Sequence, residues 1–464
     1  MYPGSNDTIC ALSSPPGTGA IAVIRLSGKE AFPLCESVFT PVRRSFRIRD
    51  AASHTIHHGF IGREGNILDE ALVSIFRNPH SYTGEDVVEI SCHGSVYIQQ
   101  KILELLVEQG ARFARPVEFT LRAFLNGKFD LSQAEAVADL IASHSQTSHD
   151  LALRQMRGGF SEKIRDLRRK LVNLTSLIEL ELDFSEENVE FANRSELLEL
   201  LIEINNELSL LINSFSLGNV LKKGIPVTII GKPNVGKSTL LNAILNEEKA
   251  IVSEIPGTTR DAIEDTIVLG GYSFRFIDTA GLREARGKIE TLGIERTWEK
   301  IREATIILYV FDATADSYRD VLVSVEEFGE LYRDPAKKLI LVGNKTDKLK
   351  KLPQGFREFV EPETVFVSAK RRENVHLVAE SLLKAVGELN ITGTTIISSA
   401  RHLEALQNAR SAVVSIEQGL ASNLTPDLLT TDIRKALHHL GEITGEITTD
   451  EILGNIFSRF CIGK

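Results

Sequence analysis

The sequence has little cysteine, no long apolar run and no surplus of positive charge. Its 464 residues include four cysteines, Cys10, Cys35, Cys92 and Cys461, without a CxxC pair or a metal-finger spacing. This pattern argues against a disulfide framework and favours a reducing, cytosolic setting. No apolar run approaches the ~20 residues that span a bilayer, and the opening MYPGSNDTIC lacks the basic and apolar regions of a signal peptide. We therefore expect a cytoplasmic protein that does not use a membrane.

The charge balance limits the kinds of partner. At a formal net charge of −10, nucleic acid would have to be bound through local basic patches rather than by the overall field. Two short stretches qualify, RRSFRIR at 43–49 and RDLRRK at 165–170, although solvated surface charge is the simpler explanation of each. The stretch HTIHH brings His54, His57 and His58 together, and a strand that alternates faces explains it better than a metal site.

The residue pattern changes three times along the chain. Residues 1–122 mix strand and helix patterns, residues 123–222 are helical, residues 223–388 alternate strands with helices, and residues 389–464 are helical again. Repeated strand–helix alternation predicts a mostly parallel sheet covered by helices. Since a domain tolerates an insertion where its two ends lie close together, the pattern predicts one helical domain interrupted by an inserted α/β domain.

Apolar residues at helical spacing predict two long helices before the insertion. They are Leu167, Leu171, Leu174, Ile178 and Leu182, followed by Leu197, Leu201, Ile204, Leu208 and Leu211. Near the end of the chain, the capping residues predict a helix that begins at Pro426 and stops at Gly441. The capping box from Thr448 to Glu451 predicts one more helix.

The stretch GKPNVGKS at 231–238 matches the phosphate-binding loop GxxxxGK[ST] and stands between a strand and a helix, as that loop requires. Glycine lets the backbone wrap so that its N–H groups point at phosphate, and the helix dipole adds to the attraction. Lys237 would neutralise the β- and γ-phosphates, and the Ser238 hydroxyl would bind Mg²⁺. The nucleotide contacts expected here are Gly231, Asn234, Val235, Gly236, Lys237, Ser238 and Thr239.

Two further motifs indicate that the base is guanine. NKTD at 344–347 follows an apolar strand, and the Asp347 carboxylate can accept hydrogen bonds from guanine N1–H and N2–H. Adenine offers no such donors, so the carboxylate would be left unpaired at a cost of about 1–3 kcal/mol. The expected base contacts are Asn344, Lys345 and Asp347, with Ser368, Ala369 and Lys370 of the SAK motif.

Between these motifs lie two stretches that suit a γ-phosphate switch. GTTRD at 257–261 supplies Thr259 for Mg²⁺, and DTAG at 278–281 supplies Asp278, which would hold Mg²⁺ through water, and Gly281, which would sense the γ-phosphate. In this order the motifs resemble those of the P-loop GTPases, whereas a P-loop kinase has no use for NKxD. The resemblance implies further nucleotide contacts at Ser253, Glu254, Ile255, Pro256, Gly257, Thr258, Thr259, Asp278, Thr279, Ala280 and Gly281.

Two departures from signalling GTPases concern hydrolysis. Those enzymes carry a Gln after DxxG that orients the attacking water, but here the position is Leu282, so another group must act, with Glu284 and Glu290 as acidic candidates. The second departure is Asn234 inside the phosphate loop. Its amide oxygen could help to bind a monovalent cation where an arginine finger otherwise acts, or the amide could only stabilise the loop.

Over its full length the chain resembles the MnmE (TrmE) family of tRNA-modification GTPases. Beyond the nucleotide motifs, the resemblance rests on PPGTGAIAVIRLSG at 15–28, SYTGEDVVEISCHG at 81–94, RAFLNGKFDLSQAEAVADLI at 122–141 and the terminal CIGK. It implies a multidomain fold: an α/β folate-binding and dimerisation domain over 1–122, a helical domain over 123–222 and 389–464, and an inserted P-loop GTPase domain over 223–388.

The resemblance also implies a function and a set of site residues. Such a protein forms a homodimer, works with the FAD-containing partner MnmG (GidA) in a heterotetramer, and modifies C5 of the wobble uridine of certain tRNAs. The one-carbon unit comes from 5-formyl- or 5,10-methylene-tetrahydrofolate, and K⁺ activates GTP hydrolysis. By motif position, K⁺ falls on Asn234, Ser253, Ile255 and Thr258, folate on Arg25, Glu89, Lys128 and Lys464, and catalysis on Lys237, Glu290 and Cys461. For Arg25 and Lys128, surface solvation is the plainer alternative.

Two other functions remain as alternatives. A GTP-dependent ribosome-assembly factor would be expected to carry a basic RNA-binding domain, but the segment after residue 395 has neither a GXXG loop nor a basic run. A membrane-remodelling GTPase would need an apolar or amphipathic basic anchor. Cys461, close to the end of the chain, would either act as a thiolate near the one-carbon unit or pack as a small buried thiol.

Overall fold

A computed structural model gives the fold. It describes residues 7–43, 45–63, 65–183, 194–249, 265–277, 301–326, 334, 337–351, 353, 355–356, 362–387, 395–422, 424 and 426–448. Their contacts form two compact units. The first unit consists of the described parts of Met1–Ile141, Leu153–Asn206 and Ala405–Lys464, and the second of those in Ala142–Ala152 and Glu207–Glu404.

The first unit begins with a seven-stranded sheet in the order β3-β4-β5-β6-β2-β1-β7. The strands are β1 (Ile9–Leu12), β2 (Ile21–Ser27), β3 (Phe39–Pro41), β4 (Thr55–Arg63), β5 (Asn66–Phe76), β6 (Val87–His93) and β7 (Arg112–Phe113). Helices α1 (Ala31–Val38) and α2 (Val96–Glu108) pack against one face, where Ile24, Ile90 and Ile102 are fully buried. Because side chains alternate along a strand, Arg25 and Glu89 lie on the opposite face.

Five helices continue the chain from this sheet. They are α3 (Glu118–Leu125), α4 (Leu131–Ile141), α5 (Gln146–Met156), α6 (Gly159–Asp183) and α7 (Arg194–Lys223). The predicted apolar stripes are confirmed, because four members of the first stripe and all five of the second are buried. The side chain of the remaining member, Leu182, lies outside the part of the chain that the structure describes. These two helices therefore bury the residues that their periodicity indicated.

The second unit contains a six-stranded sheet in the order β13-β12-β11-β8-β10-β9. The strands are β8 (Ile225–Ile230), β9 (Asp265–Leu269), β10 (Tyr272–Phe276), β11 (Ile306–Asp312), β12 (Lys338–Asn344) and β13 (Glu363–Phe366). Every neighbouring pair is parallel except the β9–β10 hairpin. Helices α8 (Lys237–Lys249), α9 (Tyr318–Glu326) and α10 (Val375–Gly387) accompany it. The predicted mostly parallel sheet is confirmed, and the carboxyl ends of its parallel strands meet at one edge.

Two helices follow, α11 (Ala400–Ala421) and α12 (Pro426–Thr444). The predicted start of α12 at Pro426 is confirmed, but the predicted stop at Gly441 is wrong. Gly445 has φ +84° and supplies the left-handed residue that ends the helix, and its N–H donates to the Gly441 carbonyl at 3.0 Å. A Cβ on Gly445 would meet Phe124 and Leu131 within 3 Å, so packing from α3 and α4 selects the second glycine.

The predicted capping box continues beyond Thr448, outside the described residues. None of the helices in the described part of the chain is long and apolar enough to cross a membrane. The predicted fold class, an α/β domain, a helical domain and an inserted domain with a mostly parallel sheet, is confirmed.

Candidate functional site: a nucleotide pocket and a polar sheet face

The loop from β8 to α8 has the backbone shape that phosphate binding requires. Gly231 has φ +142°, and a Cβ there would lie 2.0 Å from the Val310 carbonyl oxygen. Gly236 has φ +99°, and its Cβ would lie 2.3 Å from Nδ2 of Asn344. Both contacts are shorter than real Cβ atoms make, so a side chain fits at neither position. The loop can therefore approach a phosphate with its backbone N–H groups.

Lys237 is the first residue of α8 and its side chain folds back over the loop. Its Nζ donates to the carbonyl oxygens of Gly231 at 2.7 Å and Lys232 at 2.8 Å. The ammonium group thus lies where the loop encloses space for phosphate. Ser238 and Thr239 follow in the first turn of this 13-residue helix, whose N-terminal dipole also favours an anion.

Asn344 joins three of the predicted motifs. Its side-chain Nδ2 donates to the Val235 carbonyl at 2.8 Å, and its Oδ1 accepts from the Ala369 N–H at 3.0 Å. The side chain is buried, so these two hydrogen bonds satisfy an amide that would be costly to leave unpaired. Asn344 therefore fixes the phosphate loop, NKTD and SAK relative to one another.

Asp347, the predicted reader of the base, is held by the SAK motif. The Ser368 hydroxyl donates to its Oδ1 at 2.8 Å. This hydrogen bond lowers the pKa of Asp347, so the side chain is ionised at neutral pH and acts as an acceptor. The ring N1–H and the exocyclic N2–H of guanine together complement that carboxylate, whereas adenine offers no such pair of donors.

Sequence reasoning missed the residue that holds Lys345. Lys345 lies in the left-handed region at φ +69°, and its Nζ contacts Oδ2 of Asp312 at 2.5 Å. Burial raises the pKa of Asp312, but hydrogen bonds from Lys345 and Thr314 outweigh it and lower the pKa overall. Asp312 also donates its backbone N–H to Asp316, which pairs with Lys232 at 2.7 Å. The sequence did offer a signal for Asp312. The polar stretch DATADS at 312–317 comes at the end of an apolar strand, at the sheet edge where the nucleotide motifs meet.

The rest of the predicted nucleotide site is divided. Asn234 is exposed in the loop with φ +61°, and Lys370, the last residue of SAK, is also exposed. The other predicted residues lie outside the described part: Ser253, Glu254, Ile255, Pro256, Gly257, Thr258, Thr259, Asp278, Thr279, Ala280, Gly281, Leu282, Glu284 and Glu290. The structure thus brings together the phosphate-loop and base-reading residues.

Two of the predicted folate residues contact each other on the open face of the first sheet. Arg25 and Glu89 are directly opposite in the β2–β6 pair, and the Arg25 Nε and Nη2 lie 2.9 and 2.7 Å from Oε1 of Glu89. The guanidinium also lies over the rings of Tyr82, at 5.1 Å, and Phe119, at 5.6 Å. Both contacts are made to Oε1, so with respect to the described residues Oε2 of Glu89 can still accept hydrogen bonds from a ligand.

Lys128 reaches the same region through the loop that carries Tyr82. Its Nζ donates to the Pro79 carbonyl at 3.0 Å, and the neighbouring Phe129 ring packs edge-on against Tyr82 at 5.8 Å. Burial raises the pKa of Tyr82, so its hydroxyl is neutral and donates or accepts with Thr120 at 2.8 Å. Tyr82 and Phe119 were not predicted, although Tyr82 lies in a motif that carried the family resemblance. Lys464 and Cys461 lie outside the described residues.

His57 and His58 lie on β4, as predicted for a strand with alternating faces, whereas His54 precedes the strand and has φ +63°. His57 stacks on Phe46 with ring centroids 3.8 Å apart, whereas His58 contacts Glu70 at 2.6 Å. Within the ranges that the structure describes, no group of three His, Cys, Asp or Glu side chains could hold a metal ion.

Two family profiles and several full-length relatives match this chain. The family profile described as MnmE helical domain matches residues 131–461, and the one described as GTP-binding protein TrmE N-terminus matches residues 8–128. The tRNA modification GTPase MnmE of Cytophaga hutchinsonii is 53% identical over 460 residues, 99% of this chain and 98% of the relative. That of Flavobacterium psychrophilum is 50% identical over 461 residues, 99% of each chain.

Solved structures give a weaker likeness. The G domain of the FeoB iron transporter of T. maritima covers 35% of this chain and 98% of its own length, at 21% identity and a TM-score of 0.26. A likeness at that level supports no conclusion about function.

Proposed function

The chain belongs to the MnmE family of tRNA modification GTPases and hydrolyses GTP in tRNA modification; we propose that its target is C5 of the wobble uridine of certain tRNAs. The substituent is an aminomethyl or carboxymethylaminomethyl group, installed together with an FAD-containing partner of the MnmG (GidA) kind. The protein acts as a cytoplasmic homodimer that forms a heterotetramer with this partner.

One observation supports this proposal most directly, the joining of three motif loops by Asn344. A GTPase must bind phosphate and guanine in one rigid arrangement, because positioning and electrostatics supply most of the rate of phosphoryl transfer. The hydrogen bonds of Asn344 to Val235 and Ala369, with the Ser368–Asp347 contact, build that arrangement from the described residues.

Within this site each group has a chemical role. Lys237 stabilises charge on the β- and γ-phosphates. Ser238 supplies a hydroxyl oxygen next to the phosphates, and Mg²⁺ prefers hard oxygen ligands of this kind. When bound, Mg²⁺ neutralises developing charge on the phosphate oxygens. Thr259 completes the proposed Mg²⁺ ligands. Glu290 orients the attacking water, because Leu282 stands at the position where signalling GTPases carry the glutamine for this role.

We propose that K⁺ activates hydrolysis and that Asn234 is one of its ligands, with Ser253, Ile255 and Thr258. Asn234 suits this role because it is exposed at the phosphate loop and an amide oxygen is a ligand that alkali cations accept. Hydrolysis is expected to be much faster in KCl than in NaCl at equal ionic strength, since the smaller Na⁺ does not fit the same ligands. Equal turnover in the two salts would exclude the role of K⁺.

We propose that the open sheet face of the first unit binds the tetrahydrofolate that donates the one-carbon unit. The donor set fits such a ligand: Oε2 of Glu89 can accept from the N–H edge of a pterin, Tyr82 and Phe119 offer aromatic surface, and Arg25 and Lys128 offer cations for carboxylates. Lys464 adds a third cation and Cys461 a nucleophile in this proposal. When bound, the folate supplies the one-carbon unit, and these side chains bind and orient it.

The base-reading role of Asp347 provides the experiment that tests the proposal. In Asp347→Asn the side-chain amide donates where the carboxylate accepted, and xanthine presents an acceptor at C2. The variant is therefore expected to hydrolyse XTP in preference to GTP and to support wobble-uridine modification in a purified system only when XTP is supplied. A variant that still preferred GTP would contradict the role of Asp347.

A further inference from the structure

His93 is the last residue of β6, and Asp69 holds it in two places. Oδ2 of Asp69 accepts from the His93 backbone N–H at 2.8 Å, and Oδ1 lies 2.7 Å from the ring Nδ1. Because a carboxylate can only accept hydrogen bonds, Nδ1 carries a proton and the tautomer is fixed. The other ring nitrogen, Nε2, is left to take up or give a proton. The His93 side chain is 68% exposed, so Nε2 is accessible to a ligand.

This pair differs from the other histidine–carboxylate pairs in the described part of the chain. The Asp69 side chain is only 7% exposed. The carboxylates that contact His58 and His149 are 56% and 52% exposed, and Glu442, which contacts both His438 and His439, is 26% exposed. A buried carboxylate holds an imidazole more firmly than a solvated one, because solvent screens the interaction less. An exposed ring on a buried carboxylate is the arrangement by which enzymes orient an acid–base histidine.

His93 shares its sheet face with the Arg25–Glu89 pair. Residues two apart on a strand point to the same face, so Glu89, Ser91 and His93 form one row. Across the row on β2, Arg25 is opposite Glu89, and Ile21, which is highly exposed, is opposite His93. His93 lies four positions after Glu89 on the strand, which places their Cα atoms about 13 Å apart. Asp69 pairs with the buried Ile61 and so belongs to the helix-covered face. The His93 ring that it holds therefore lies at the end of the sheet, where a reduced folate that extends from Glu89 is long enough to reach it.

We propose that His93 is an acid–base residue of a reduced-folate site on this sheet face, with Asp69 as its positioning residue. The inference rests on the proposed folate-dependent function. His93 in its protonated form gives the Nε2 proton to the folate nitrogen whose bond to the one-carbon unit breaks, and that nitrogen keeps the bonding electron pair. The carbon forms its new bond to an amine or thiol acceptor, whose proton returns to Nε2.

The surroundings of His93 set the pH at which this exchange operates. The charged groups facing the ring from β5 are Asp69 and Glu70, and both raise the pKa of His93 above its ordinary value, chiefly through the Asp69 hydrogen bond. From β2 the opposite residue is the uncharged Ile21, and α2 begins nearby with Ser95 and Val96. A raised pKa keeps a larger share of the imidazole protonated at neutral pH, as a general acid requires.

The test compares His93→Gln with the matched control His58→Gln. The control alters the His58–Glu70 pair on the same sheet, whose carboxylate is exposed. Each purified variant is assayed with the flavoprotein partner, tRNA and 5-formyl- or 5,10-methylene-tetrahydrofolate. For His93→Gln we expect wobble-uridine modification to fall by about 10²-fold or more, with folate affinity and GTP hydrolysis nearly unchanged. For His58→Gln we expect all three to match the wild type. Normal modification by His93→Gln would overturn the proposal.

A second measurement does not depend on turnover. The ring proton signals of His93 are followed by NMR against pH, with and without 5-formyl-tetrahydrofolate. Folate is expected to shift the titration of His93, and Asp69→Asn is expected to move the His93 pKa downward. An unchanged His93 titration on folate binding would overturn the proposal, while failure of the wild type to bind any folate would overturn the proposed folate function as well.

Discussion

At the scale of single residues, backbone strain collects around the nucleotide site. Six described residues other than glycine have positive φ; His54 and Val117 lie in the first unit, and the other four lie in or beside the motif loops: Asn234, Lys345, Arg372 and Asn374. Such conformations cost about 1–3 kcal/mol each and persist where the surroundings hold them. The sequence identified Asn234 and Lys345 by their motifs. It could not identify Asp312 as the partner of Lys345, because that contact depends on the pairing of β11 with β12.

The Asp312–Lys345 contact leads to a prediction about nucleotide release. In Asp312→Asn the charged partner of Lys345 is lost, and the lysine is less firmly placed beside the base. A hydrogen bond to a charged group contributes about 1.5 kcal/mol or more, which corresponds to roughly tenfold in an equilibrium constant. We therefore expect a fluorescent GDP analogue to dissociate about tenfold faster, with little change in kcat at saturating GTP.

The control for this prediction lies in the same segment. Asp320 contacts Ser317 at the start of α9, so Asp320→Asn removes a carboxylate without touching the base-reading lysine. Its GDP release should match the wild type. Equal release rates from Asp312→Asn and the wild type would show that Lys345 is placed by other contacts.

At the scale of elements, the strands and long helices followed from periodicity, whereas the ends and partners of elements did not. The stripes of α6 and α7 were readable because burial repeats at helical spacing. The end of α12 was misplaced by four residues because Gly441 and Gly445 both suit a helix end, and packing of Phe124 and Leu131 decides between them. The contact partner of α5 also depends on tertiary structure.

Helix α5 begins with a contact that its sequence did not indicate. Within the second unit, the N–H and hydroxyl of Thr147 both donate to the Gly271 carbonyl, at 3.1 and 2.6 Å. Gly271 lies in the turn of the β9–β10 hairpin. This hairpin connects the chain segments that carry the predicted switch residues Thr259 and Asp278, so α5 is attached to the element between them.

Thr147→Val tests this attachment. The substitution keeps the shape of the side chain and removes the hydroxyl donor, and a hydrogen bond of this kind contributes about 1 kcal/mol. We expect the free energy of unfolding to fall by about that amount and hydrogen exchange of the β9–β10 amides to accelerate. Thr175→Val is the control, because the Thr175 hydroxyl only bonds to Leu171 in its own helix, and its loss should matter less.

At the scale of the whole molecule, the change of residue pattern near residue 223 predicted the inserted sheet correctly. Fold class was predictable because each part repeats its own period over many residues. The site was predictable where a motif is contiguous, as in GKPNVGKS and NKTD. It was not predictable where residues far apart meet, as in the contacts of Asp312 with Lys345, Tyr82 with Arg25 and Asp69 with His93.

A division of labour between nucleotide hydrolysis and tRNA chemistry follows from the proposed function. Cys461 is proposed to act in the one-carbon chemistry, whereas the residues proposed to bind and hydrolyse GTP lie in the inserted domain. Cys461→Ser is therefore expected to leave K⁺-stimulated GTP hydrolysis nearly intact and to reduce wobble-uridine modification sharply. Normal modification by this variant would return the cysteine to a packing role.

The proposed function requires this GTPase for modification of the wobble uridine in tRNA. Mass spectrometry of tRNA nucleosides from cells that lack the protein measures that requirement. We predict that the C5-aminomethyl and C5-carboxymethylaminomethyl uridines disappear, that the unmodified uridine rises correspondingly, and that the wild-type protein restores the modified nucleosides. An unchanged set of wobble nucleosides in cells without the protein would show that the wobble uridine is not its target.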